Sequence, residues 1–140
     1  MLATINQNNL KKVIPMNLGI GSKEGFINFT PMGQFGPMSQ INKNGKVKIK
    51  IISIDKFVSD KEVDVGLIKM DLEGYELVAL NGAIDTIKKF KPILLISIYH
   101  NPEQFINVIK FVQELKIDYK ISIKHLGGAA PISETYLIAW

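Results

Sequence analysis

Apolar and polar positions along the chain follow two rhythms. Val47, Ile49 and Ile51 alternate with Lys46, Lys48 and Lys50, the period of a strand with one buried and one wet face. Phe26–Thr30 is a second short extended run, and the two are expected to pair as a hairpin. Before them, Val13–Leu18 reads as a short strand, with Pro15 suited to a strand start or an edge. Gly19, Gly21, Ser22 and Gly25 mark a turn, and residues 31–45, rich in Gly, Pro, Asn and Gln, a loop. Ser53 to Val58 has the pattern of a capped short helix.

The second half alternates strands with amphipathic helices, the βαβ order of a parallel sheet. Leu67–Met70 is a mostly apolar strand that runs into Asp71. Leu77, Leu80, Ile84 and Ile87 then recur three and four apart, which predicts one helix with a single apolar face. Lys88, Lys89 and Lys91 gather where the helix dipole favours cations, and Pro92 stops the helix. Ile93–Tyr99 is continuously apolar except for Ser97, as in a strand covered on both faces. Asn101, Pro102 and Glu103 form an N-terminal helix signal, and Phe105, Val108, Ile109, Val112 and Leu115 the stripe of that helix. Tyr119–Lys124 and Thr135–Trp140 are two final strands.

Composition narrows this picture without changing it. The chain has 140 residues, 46% hydrophobic and 21% charged, which suits one globular domain spanning residues 1–140. With no cysteine, disulfides and thiolate metal sites are excluded, in keeping with a cytoplasmic setting. No apolar run approaches the about 20 residues of a membrane span, and Met1–Asn9 lacks the apolar centre of a signal peptide. The net charge is +4, yet all 17 basic residues are Lys. Arg is the side chain suited to bidentate phosphate and base contacts, so nucleic acid is not an expected partner.

Ligands of open α/β sheets bind beyond the C-terminal ends of the strands. That rule selects Asp71 and Glu73, then Tyr99 and His100, then His125. Asp71 and Glu73 would share a face of an extended chain, with Lys69 beside them and Gly74 allowing close approach. They could orient a hydroxyl or a cofactor amine, or take a proton; equally, both acids suit the start of the next helix. His100 could deprotonate a hydroxyl or simply tie down the loop before its helix, and His125 carries the same two readings. These groups could also ligate a metal, but their spacing fits no metal motif and none is expected. Gly19-Ile20-Gly21-Ser22 lacks the Walker spacing and is no phosphate cradle.

The run Leu67-Ile68-Lys69-Met70-Asp71-Leu72-Glu73-Gly74-Tyr75-Glu76-Leu77 resembles the signature of the FkbM family of methyltransferases. Leu80-Asn81-Gly82-Ala83 is similar to that family's L-x-G-A element, and Ser53-Ile54-Asp55-Lys56-Phe57 to its short T/S-L/I-D-x-F/L element. Val13–Gly19 resembles the third-strand region and the run from Glu134 the final strand. The resemblance implies a Rossmann-like class I methyltransferase sheet with a β-hairpin insertion, and S-adenosylmethionine as methyl donor. It implies O-methylation of a sugar or another hydroxyl-bearing small molecule. Asp71, Glu73 and His100 would be the catalytic residues, and Asp71, Leu72, Asn17 and Gly19 would lie on the cofactor side.

Against that family pattern, the first two strands and the Gly-rich cofactor loop are not among the 140 residues. The chain is therefore expected to be a truncated methyltransferase sheet, inactive alone, with Leu67–Met70 as an exposed apolar edge open to self-association. The alternative is a non-catalytic remnant or interaction module descended from such an enzyme. The acceptor pocket is expected from Pro31–Gly45 and Gly127–Pro131.

Overall fold

The computed structural model describes residues 2–30, 40–41, 47–127 and 134–140. In chain order the elements are α1 (Leu2–Gln7), β1 (Gly19–Ile20), β2 (Gly25–Thr30), β3 (Gln40–Ile41), β4 (Val47–Ile52), α2 (Ile54–Lys61), β5 (Leu67–Met70), α3 (Glu76–Asn81), α4 (Ile84–Phe90), β6 (Ile93–Ser97), α5 (Pro102–Glu114), β7 (Ile121–His125) and β8 (Thr135–Ala139). They form two four-stranded sheets, ordered β1-β4-β2-β3 and β5-β6-β8-β7.

The hairpin forms as its alternation requires. β2 runs antiparallel to β4, with Ile27 opposite Ile49, and β4 also pairs in parallel with β1, Gly19 opposite Ile51. The strand expected at Val13–Leu18 is displaced to Gly19–Ile20. Pro15 has no N–H to donate, and Val13, Ile14 and Met16 are exposed, so nothing holds that run in a ladder. Gly19 is accordingly a strand residue rather than part of a turn. A Cβ there would stand 2.8 Å from Ile51 Cγ2, so the missing side chain lets β1 close on β4.

In the second sheet β5 and β6 are parallel, Ile68 opposite Leu94, while β8 runs antiparallel to both β6 and β7. Ile68, Met70, Leu80, Ile87, Leu94, Ile96, Ile98, Val108, Val112 and Leu137 make one buried cluster between this sheet and its helices. β8 and the inner residues of β6 are covered on both faces. β5 alternates, with Leu67 57% exposed, and lies at the sheet's edge among the described residues. β6 is shorter than the apolar run and ends at Ser97, and β7 starts later than expected, at Ile121.

The helix expected over residues 77–87 is two helices, α3 and α4, broken at Gly82 and Ala83. Tertiary contact overrides the continuous periodicity. A Cβ on Gly82 would lie 2.3 Å from the Gly21 carbonyl oxygen and 2.9 Å from both Ser22 Cα and Ser53 Cβ. Gly82 therefore lets the two sheets' connections touch. The Gly82 carbonyl accepts from the Asp55 N–H at 2.8 Å. Asp55 then caps α4 from a distant stretch of chain: Oδ1 accepts from the Thr86 N–H at 2.7 Å and Oδ2 from the Asp85 N–H at 3.2 Å. α2 is itself capped by Ser53, whose hydroxyl accepts from the Lys56 N–H at 3.2 Å.

Candidate functional site

The chain leaves β5 at Met70 and turns sharply. Glu73 has φ 54° and Gly74 φ 97°, left-handed values uncommon for residues other than Gly. Extended geometry ends here, so Asp71 and Glu73 do not share a face through strand alternation. They converge because the turn folds both toward His100. The turn is closed by a bond from the Tyr75 N–H to the Leu72 carbonyl at 3.1 Å. It is closed again by the Glu76 carboxylate, whose Oε1 accepts from the Leu72 N–H at 2.6 Å.

Glu76 is fully buried. Its other oxygen accepts from Gln104 Nε2 on the first turn of α5, which ties the β5–α3 turn to α5. The start of α5 is set by Asn101, whose Oδ1 accepts from the Gln104 N–H at 2.7 Å. His100, one residue earlier, is thereby placed beyond the C-terminal end of β6, beside the corresponding end of β5.

The His100 side chain is 10% exposed. Its Nε2 faces Asp71 Oδ1 at 3.5 Å and Glu73 Oε2 at 3.4 Å, and its Nδ1 faces Glu76 Oε1 at 3.4 Å. Neither nitrogen makes a hydrogen bond. Asp71, Glu76 and His100 each bring one donor atom within 4.8 Å of the others. The Tyr99 ring stacks on His100 with centroids 4.3 Å apart and meets Tyr136 edge-on at 6.2 Å. Burial pushes the Tyr99 phenol up to about 12, with the Asp71 and Glu134 charges adding to it. Tyr99 is thus a neutral wall and hydrogen-bond donor at ordinary pH, not a base. Next to it is an apolar cavity of about 320 Å³ lined by Ile98, Tyr99, Pro102, Phe105 and Ile106.

The other expected positions lie elsewhere. His125 is exposed on β7, its Nδ1 3.4 Å from Thr135 Oγ1. Gly19 is in β1 of the first sheet, and Asn17 is exposed just before it. Leu72 packs its side chain on the core beside Asp71. Of the two loops expected to shape the acceptor pocket, only Gln40, Ile41 and Gly127 fall among the described residues. A larger cleft of about 540 Å³ lies between α2 and α4, lined in part by Asp55, Glu62 and Lys89. None of the strand-end residues lines it.

Glu76 and Gln104 were not singled out by sequence reasoning as site residues. A signal for both exists. Glu76 leads Leu80 by four and Ile87 by eleven, and Gln104 leads Val108 by four and Val112 by eight. Each polar side chain therefore occupies an apolar stripe, where burial is expected and a polar partner required.

The model of the methyltransferase FkbM domain matches residues 4–120. The chain belongs to the FkbM methyltransferase family. Among curated relatives it is 28% identical over 116 residues to the hexuronic acid methyltransferase AglP of Haloferax volcanii, an alignment covering 79% of this chain and 46% of AglP. Among solved structures it superposes on the methyltransferase FkbM from Methylobacillus flagellatus with a TM-score of 0.74 and 22% identity, over 99% of this chain and 32% of that one. The chain thus spans about half of the one relative and a third of the other. The structural likeness supports a methyltransferase fold of mixed α/β type. Among the described residues of this FkbM chain, no helix is long and apolar enough to cross a membrane.

Proposed function

We propose that this chain carries the acceptor side of an S-adenosylmethionine-dependent methyltransferase that methylates a hydroxyl of a small molecule, a sugar or a similar compound. The observation that carries the reading is the meeting of Asp71, Glu73 and His100 beyond the C-terminal ends of adjacent parallel strands, where open α/β sheets bind ligands. The FkbM membership and the sugar-acid acceptor in AglP's name support it.

The donor supplies an electrophilic methyl group on a sulfonium. The residues present fit such a cation. The ion pairs of Asp71 and Glu73 go only to His100 among the described residues, which leaves carboxylate oxygens to face positive charge. Asp71 and Leu72, with Asn17 and Gly19, are assigned to the cofactor side. The carboxylate–imidazole cluster holds the acceptor hydroxyl in register and takes up its proton. Tyr99, stacked on His100, forms one wall beside the acceptor.

Because the chain spans about half of AglP, transfer by these 140 residues alone is expected to be slow. The β5 edge, with Leu67 exposed, is assigned as a surface where two copies pair, and sedimentation velocity decides it. A cytoplasmic setting belongs to the same proposal.

Amide-resolved NMR of the chain titrated with S-adenosylmethionine tests the reading. Saturable shifts at Asp71 and Leu72, lost in Asp71→Asn, are the expected result. Shifts centred on the α2–α4 cleft, or none up to millimolar donor in a folded sample, would overturn it.

A further inference from the structure

We propose that Asp71 and His100 are the fixed ligands of a divalent-metal site, suited to an ion such as manganese(II) or zinc(II), with Glu73 swinging in as a third ligand and Glu76 holding the imidazole in the ligating orientation. The ion would occupy the same cluster that the proposed function uses and so deepens that reading, but its binding needs no donor or acceptor and is tested without them.

Spacing is the first argument. His100 Nε2 lies 3.5 Å from Asp71 Oδ1 and 3.4 Å from Glu73 Oε2, and no hydrogen bond forms at that nitrogen. Two ligands each about 2.0–2.2 Å from a shared tetrahedral ion stand about 3.3–3.6 Å apart. The Asp71–His100 separation therefore suits a common ion, whereas the donor atoms already within 4.8 Å of one another are those of Asp71, Glu76 and His100, so Glu73 must swing inward to join. Glu73 is an exposed side chain at the turn, free to adjust around it.

Orientation is the second. His100 is nine-tenths buried, yet both of its nitrogens lack hydrogen bonds, a costly state for a neutral imidazole. The two nitrogens face different kinds of carboxylate. Nδ1 faces the buried Glu76, which is itself fixed by the Leu72 N–H and Gln104. Nε2 faces the more exposed Asp71 and Glu73. A histidine that ligates a metal through one nitrogen characteristically gives its other N–H to a carboxylate that sets the tautomer and the ring plane. Glu76 stands where that carboxylate belongs.

Charge is the third. Three carboxylates surround one imidazole, and among the described residues their ion pairs go to His100 alone. Among the described residues no Lys forms an ion pair with them. An imidazole with carboxylate oxygens selects manganese, iron, cobalt or zinc over calcium and magnesium, which prefer oxygen alone.

The test is calorimetric titration of manganese(II), and separately zinc(II), into the whole 140-residue chain freed of metal by chelation, without donor or acceptor. One ion per chain with micromolar affinity is expected. Asp71→Asn should weaken binding at least about tenfold, and Glu76→Gln, which leaves Asp71, Glu73 and His100 in place, about 10- to 100-fold. His125→Ala should leave it unchanged. Electron spin resonance of bound manganese should show imidazole nitrogen coupling that vanishes in His100→Ala. Should that variant misfold, Asp71→Asn, a change at a partly exposed side chain, still decides the matter. No binding to a chain shown by circular dichroism to be folded would overturn the proposal. So would binding that survives Asp71→Asn, or that is lost only in His125→Ala.

Discussion

Asp55 and Glu76 do similar local work in two parts of the molecule. Each is an acidic side chain with both oxygens accepting hydrogen bonds that tie neighbouring turns together: Asp55 from two backbone N–H groups, Glu76 from the Leu72 N–H and the Gln104 side-chain amide. Asp55 spends both oxygens on the first turn of α4, and its own N–H goes to Gly82. The α2–α4 joint is then saturated. Glu76 also has both oxygens engaged, but the imidazole beside it is left with two buried, unbonded nitrogens. Buried polar groups are nearly always satisfied. The Asp55 joint is saturated, whereas the network around Glu76 leaves Gln104 Oε1 and both His100 nitrogens unbonded, and the imidazole, facing three carboxylates, is the part of it open to a ligand.

The strongest way to break that contrast is to disrupt the joint. Gly82→Val drives a side chain into the Gly21 carbonyl and Ser22, which are backbone and cannot swing away. A loss of about 3 kcal/mol is expected, seen as a fall of about 1–2 M in the urea midpoint. Gly66→Ala, where an added Cβ meets nothing within 4 Å, should stay within about 0.5 kcal/mol. If the two behave alike, the joint is not a packing constraint.

Next in size is Asp55→Ala, which strips the cap from α4 and should cost about 1–2 kcal/mol. The sharper reading comes from pairing it with Asp71→Asn. Asp55→Ala should lower the urea midpoint and leave ligand-induced shifts at the cluster intact. Asp71→Asn should do the reverse. Ser53→Ala, which removes a single cap bond at α2, should cost about 1 kcal/mol. A variant that changed both readouts equally would show that the joint and the cluster form one cooperative unit.

Much of this was legible from period and motif. The hairpin, the Ser53 and Asn101 caps and the Leu67–Met70 strand follow from alternation and capping chemistry, because each depends on neighbours close in sequence. The break between α3 and α4 was not legible. Leu77, Leu80, Ile84 and Ile87 keep helical spacing through it, and only contact with Gly21, Ser22 and Ser53 forces the chain to turn. The same limit applied at the cluster. Asp71, Glu73 and His100 could be named as strand-end residues, but not their convergence, which depends on positive φ at Glu73 and Gly74. Glu76 and Gln104 were hidden by their own placement, since a stripe position reads as core until a polar residue there is asked what it bonds.

The smallest effect concerns the field that the cluster's carboxylates create. Burial, then the Asp71 charge, raise the Tyr99 phenol to about 12, and Tyr119 and Tyr136 are also raised. An unfolded tyrosine titrates near about 10. Between those values the unfolded chain has released protons that the folded chain retains, so rising pH favours unfolding. The tyrosine contribution should be whole below about pH 10 and decline as pH climbs toward about 12. Urea midpoints across that window should fall less steeply in Tyr99→Phe than in the parent chain. The comparison can be sharpened with phenolate absorbance. Asp71→Asn removes a charge that helps keep the Tyr99 proton and should lower its titration point modestly, since burial is the larger cause. Asp55→Asn, at the saturated joint, should leave that point where it is. An equal shift in both variants would mean that the field at Tyr99 comes from the molecule as a whole rather than from the cluster.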